Sequence, residues 1–372
     1  MNFSDIIGQN TQKQLLKGMV DGKRAPHALL LLGKEGVGGL PLALAYIQYL
    51  LCENKQGNEE SCGTCRACTK NAKMIHPDVH YSYPTIGTGK VATDFIADWR
   101  KNIAQNPYMS NNQWLSAISG GENKQGNINK DECVSIVKKL SLKSYESQYK
   151  VLVMWLPEYL GKEGNRLLKL IEEPPADTIF VLIAENQELI LNTILSRCQM
   201  IKLSPLSNED ITLALAAKLD ISATQAGAIA QIADGNFNEA LLLSQSSQND
   251  NALLFLEWMR KIYGINGVDI LQWVEKFAGT GREAQKYFFR YGLHFIREMM
   301  MYKATNSTDR VRLQNNELST AIKMSAVIDL EQIEPIMRLF DESIHHIERN
   351  ANAKILLLDV SIQMNKILKK RK

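Results

Sequence analysis

The chain has 372 residues, enough for two or three domains, and its 45% hydrophobic content allows a sizeable core. A net charge of +3 is too small to mark a nucleic-acid binder, so any DNA contact must come from a local patch. No apolar run approaches membrane-spanning length, and Met1–Asp5 carries no basic segment leading into an apolar one; a cytoplasmic protein without membrane partners is expected.

A helical pattern runs to about Asp21. His27–Leu32 reads as a buried strand, followed by Gly33-Lys34-Glu35-Gly36-Val37-Gly38-Gly39-Leu40 and a helix starting near Pro41, since proline suits a first helical position. Strand, glycine-rich loop, helix is the order of a phosphate-binding loop. Gly33 and Gly38 fit that pattern, but Gly39 replaces the phosphate-reaching lysine and Leu40 the hydroxyl residue that holds magnesium. Backbone N–H groups at Gly33, Gly36, Gly38 and Gly39 could still cradle an anion weakly. The plainer reading is a strand–helix turn that binds nothing. Without the lysine and the magnesium ligand, hydrolysis has no charge stabilisation here.

Cys52, Cys62, Cys65 and Cys68 follow as C-x9-C-x2-C-x2-C, with Gly63 allowing a tight turn. Thiolates alone, crowded in a chain without a secretory signal, predict one structural Zn2+ in a closed tetrahedral site. His76 and His80 are expected to be non-ligands, and Cys133 a small buried residue. Val79–Tyr83 reads as a further strand. Gly87-Thr88-Gly89-Lys90 imitates a phosphate loop but lacks its leading glycine. Gly120–Asn127 is polar and glycine-rich and predicts a mobile loop. A helix is expected over Ile128–Leu140.

Lys150–Trp155 and Thr178–Ala184 read as buried parallel strands around an amphipathic helix. Its face carries Leu160, Gly164, Leu167, Leu168 and Ile171, and Pro174-Pro175 stop it. Thr193-Ile194-Leu195-Ser196-Arg197-Cys198 leads into a last strand at Met200–Leu203. A lone arginine is by default a solvated group or a structural ion pair. The pairing of Glu172-Glu173-Pro174-Pro175 with Ser196-Arg197-Cys198, at this separation, resembles the clamp-loader branch of the AAA+ ATPases.

That resemblance implies an AAA+ α/β domain over residues 1–206 with a zinc module at 52–68. It also implies an all-α lid over 207–248 and an all-α collar over 249–372. It gives Arg197 the role of an arginine finger, acting in trans on the ATP site of the neighbouring subunit. ATP is then expected at that neighbour only. Active relatives would end the Val151–Trp155 strand in Asp-Glu, where this chain has Trp155-Leu156, and would carry a sensor arginine where it has Asn238. The implied function is a non-hydrolysing subunit of a bacterial replicative clamp loader. Its partners would be gamma/tau motor subunits, the delta subunit, the sliding clamp and primed DNA. An active gamma/tau-type ATPase and a zinc-dependent DNA-binding module outside replication are the alternatives.

From Leu206 the pattern is helical. Ser207 is expected to cap a helix with Asp210 three residues on. Ser244–Asp250 marks a polar boundary. Amphipathic helices are expected around Ala252–Tyr263, Val268–Ala278, Glu283–Lys303, Ile333–Asn350 and Asn352–Leu368. The last resembles the helix by which clamp-loader subunits oligomerise, and reads equally as an ordinary core helix. The tail Lys369–Lys372 is basic and by default solvated.

Overall fold

Five strands build a single parallel sheet in the computed structural model, which describes residues 1–55, 60–120, 124–219, 221–245, 248–264, 267–308, 311, 313, 315–349 and 351–369. They are β1 (Ala28–Leu32), β2 (Val79–Ser82), β3 (Lys150–Trp155), β4 (Thr178–Ala184) and β5 (Gln199–Lys202), in the order β2-β3-β4-β1-β5. The central registers pair Leu30 with Leu182 and Leu152 with Phe180. Strands covered on both faces need apolar residues on both, which is why β1 and β4 read as continuous runs rather than alternating ones.

Alternate residues serve two separate cores. Leu29, Leu31, Val151, Val153, Val181 and Ile183 pack with the helices Asn10–Asp21 and Gly39–Leu50. Leu30, Leu152, Met154, Phe180 and Leu182 pack with the helix Lys130–Ser141 and with Leu160, Leu167 and Ile171. This is an α/β domain built on one parallel sheet, as expected.

Two local features differ from expectation. The helix after β1 starts at Gly39, so Pro41 sits within its first turn rather than at its start. The segment after β3 is not one α-helix. Pro157–Leu167 is 3-10 in character with a break at Gly161 (φ 50°), and only Leu168–Glu172 is α-helical. Leu160, Gly164, Leu167 and Ile171 are nevertheless buried, which satisfies the apolar periodicity without a regular helix. The stretch after β2 is assigned no helices before Ile128 from sequence. It holds the helices Ile96–Gln105 and Asn111–Ser119, and it stacks Trp99 on Tyr83 at 4.1 Å, with Trp114 and Trp155 alongside. Gly121–Asn123 of the expected loop lie outside the described residues, and Asn127 returns to pair with Thr85.

The described chain divides into two compact units: Met1–Ala223 with Ala233–Ala240, and Thr224–Ile232 with Leu241–Lys372. The helices of the expected lid are shared between them. Ser207 caps the helix Asn208–Lys218, its Oγ accepting from Asp210 N at 3.0 Å. The second unit is helical, with Phe255, Trp258, Trp273, Phe288 and Phe340 in its core. All five expected helices are present, together with Asn315–Ser325, for which there is no sequence expectation. Ser246-Ser247 of the expected boundary and Lys370–Lys372 of the tail lie outside the described residues. Among the described residues, no helix is long and apolar enough to cross a membrane.

Candidate nucleotide loop, cysteine cluster and exposed arginine

The glycine-rich loop connects β1 to the helix Gly39–Leu50 and lines a cavity of about 30 Å³. That volume holds a water or two, whereas ligand sites run to roughly 300–1,000 Å³. Asn236 packs on the loop at Gly36. Gly36 adopts φ +75°, and a Cβ there would lie 1.7 Å from Asn236 Oδ1. Phe237 N donates to Gly36 O at 3.0 Å, and Asn236 Oδ1 caps the next helix by accepting from Glu239 N at 3.0 Å. Tyr108 packs edge-on against Phe237 at 5.0 Å, lies against Gly38, and accepts a hydrogen bond from Ile7 N at 3.0 Å. Asn238 is buried and accepts from Asn106 Nδ2 at 2.7 Å. Gly33, Gly38 and Gly39 all line the same cavity, as do Leu40 and Trp155.

Alanine at Gly36 is therefore expected to cost about 2–4 kcal/mol, from the left-handed backbone and the overlap with Asn236 together. Urea midpoints at unchanged m-value check this, and wild-type stability in Gly36→Ala would show that the Asn236 turn is not seated on the loop.

The charged residues lining the cavity are Lys34 and two acids. Glu35 and Glu185 line the cavity. Glu185 is pushed up to about 8 by burial, then by the charges of Glu35 and Glu158. Glu158 accepts from Glu185 N and, at 2.8 Å, from Asn186 N, so it ties β4's end to the turn after β3 rather than facing the loop. Leu156, next to it, holds a left-handed φ of 58°. Because the folded Glu185 keeps its proton above the unfolded value, its contribution is intact below about pH 4.5 and lost as pH rises through about 8. Glu185→Gln should thus gain about 1–2 kcal/mol over the wild type at pH 9, after allowance for solvent, and little at pH 4. Thermal melts at both pH values test the sign.

The four Sγ atoms of Cys52, Cys62, Cys65 and Cys68 all lie within 4.8 Å of one another. Among the described residues no other grouping of His, Cys, Asp or Glu matches this. Gly63 takes φ +71°. N–H groups are aimed at the sulfurs: Cys62 N at Cys52 (3.3 Å), Cys65 N at Cys62 (3.2 Å) and Cys68 N at Cys65 (3.4 Å). Donation from Cys65 and Thr64 draws the Cys62 thiol down to about 6, the direction a thiolate ligand needs, while burial pushes Cys52 and Cys68 up. Neither histidine joins the cluster; His76 is buried against Glu146, 3.4 Å away. The module is tied to the chain's start through Glu60, which accepts from Phe3 N (3.0 Å) and Ser4 N (2.9 Å).

Arg197 follows the short helix Asn192–Leu195, ahead of β5, and is about one-third exposed. Its Nη1 donates to Thr193 O at 2.6 Å and Ser196 Oγ at 3.2 Å, and its Nη2 pairs with Glu172. The Glu-Glu-Pro-Pro and Ser-Arg-Cys stretches thus meet in space. The sequence marked Glu172 only as part of a recognisable stretch, and gave no signal for Asn236 or Tyr108.

Residues 8–207 match the family described as DNA polymerase III, delta subunit. DNA polymerase III subunit delta' of Bacillus subtilis (strain 168) is 28% identical over 235 residues, 63% of this chain and 59% of that protein. The Escherichia coli (strain K12) subunit delta' is 27% identical over 225 residues, 60% of this chain and 55% of that one. Subunit tau of Bacillus subtilis is 23% identical over 359 residues, 89% of this chain and 56% of tau. The chain matches less than two thirds of the length of these relatives. The family match covers more than half of the chain, with the glycine-rich loop, the cysteines and Arg197 all inside it: the chain belongs to the DNA polymerase III, delta subunit family.

Proposed function

We propose that the chain is a delta'-type subunit of the clamp loader of a bacterial DNA polymerase III holoenzyme, working in the cytoplasm. It does not hydrolyse ATP. It binds gamma/tau motor subunits and the delta subunit, and takes part in placing the sliding clamp on primed DNA. The observation that carries the non-hydrolysing part is the loop itself, where Gly39 and Leu40 stand in the places of the phosphate-reaching lysine and the magnesium ligand and both line the cavity. Gly39 and Leu40 offer neither a cation for phosphate nor a ligand for magnesium. In this reading Arg197 acts on the neighbour's ATP, and the four cysteines hold one structural zinc ion.

The alternative, an active gamma/tau-type ATPase, draws on the similarity to tau across 89% of the chain. It requires a lysine and acidic residues at positions held by Gly39, Trp155 and Leu156. The test is ATP turnover by the purified chain and by its mixture with gamma or tau, delta, clamp and primed DNA. The chain alone should be inert and the complete mixture active. Ordinary turnover by the chain alone would sink the proposal.

A further inference from the structure

Arg197 does not present an open fork. One terminal nitrogen is spent on Thr193 O and Ser196 Oγ, the other on Glu172. A guanidinium can grip a phosphate end-on through its two terminal nitrogens, and that face is already engaged here, with Nη1 donating twice and Nη2 once. Glu172 ends the helix Leu168–Glu172, and Pro174-Pro175 prevent that helix from continuing, which fixes the carboxylate beside Arg197. The pair lies open to water, with side-chain exposures of 33% for Arg197 and 42% for Glu172. Such pairs are weak and easily exchanged.

Resting on the finger reading above, we infer that Glu172 is a latch on Arg197. It holds the guanidinium folded over its own helix in the free chain and yields it only to a stronger anion, the terminal phosphates of a nucleotide bound by the neighbouring subunit. The competition is carboxylate against polyphosphate for one cation. A single carboxylate in a water-open pair loses to a multiply charged group, so the finger engages a loaded neighbour and stays folded against an empty one. Latching reduces the fraction of competent chains and so weakens the apparent affinity for nucleotide without altering the engaged state.

The experiment measures ATP turnover of the reconstituted complex against ATP concentration, with wild type, Glu172→Gln, Glu173→Gln as a charge control, and Arg197→Ala. The inference expects Glu172→Gln to lower the ATP concentration for half-maximal turnover about two- to fivefold, with unchanged maximal rate and assembly. Glu173→Gln should match the wild type, and Arg197→Ala should lose stimulation. If Arg197→Ala loses stimulation but Glu172→Gln leaves the half-maximal concentration unmoved, the latch is wrong and the finger stands. A lowered maximal rate in Glu172→Gln also overturns it, because Glu172 would then support the engaged arginine. Full stimulation by Arg197→Ala removes finger and latch together.

Discussion

In a reconstituted clamp loader, alanine in place of Arg197 is expected to lower DNA-stimulated ATP turnover by about a hundredfold, while complex assembly is unchanged. Arginine fingers supplied in trans reach roughly 10³–10⁵ in GTPases; a smaller effect is expected where several sites share the turnover. The side chain is about one-third exposed, and it hydrogen-bonds or pairs with Thr193, Ser196 and Glu172 at the surface rather than in a core cluster. Stability should stay within about 0.5 kcal/mol of the wild type. That separates a chemical effect from a folding one. Lysine at the same position should rescue poorly, since a point charge cannot reproduce a planar fork. If Arg197→Ala assembles and stimulates like the wild type, the arginine is a structural group and the chain's part shrinks to scaffolding.

What the sequence revealed divides along the range of the interactions. β1, β3 and β4 were legible because burial on both faces forces unbroken runs such as Leu29-Leu30-Leu31 and Ile179-Phe180-Val181. The altered loop was legible because its pattern is local: Gly39 and Leu40 occupy fixed places after Gly33. The cysteine cluster was legible from spacing alone. What stayed hidden depends on residues far apart in the chain. Asn236 meets Gly36 across some two hundred positions, and nothing in either neighbourhood announces the other. Glu172 and Arg197 stood in separate motifs, each readable, their pairing not. Asp78 is buried because the chain returns to give it the N–H groups of Glu146 and Ser147, both at 2.9 Å. The segment Pro157–Leu167 misled for a different reason. Periodicity reports which residues face a core, and a broken 3-10 segment can meet that demand as well as an α-helix.

Removing the metal should have the largest effect on stability. One zinc per chain is expected, and Cys68→Ser or prolonged chelation should bring it close to zero. Structural zinc supplies about 10–16 kcal/mol in isolated zinc-finger peptides, most of which is folding energy. Here the module is set in a larger core, so part of its structure survives and a loss of several kcal/mol is the reasonable scale. Cys68 is fully buried with its thiol pushed up by burial, so without a metal it reverts to a neutral thiol among apolar neighbours. Cys62, drawn down to about 6, would remain an unpaired thiolate near neutral pH. The damage should spread first to Phe3 and Ser4, because Glu60 beside the cluster accepts their N–H groups. Hydrogen exchange would then rise at residues 2–6 and 60–72 before it rises in the strands. Full metal content and an unchanged melting temperature in Cys68→Ser would mean that the sulfurs gather for packing alone. Loss of metal with no change in exchange at Phe3 and Ser4 would keep the zinc and break its link to the start of the chain.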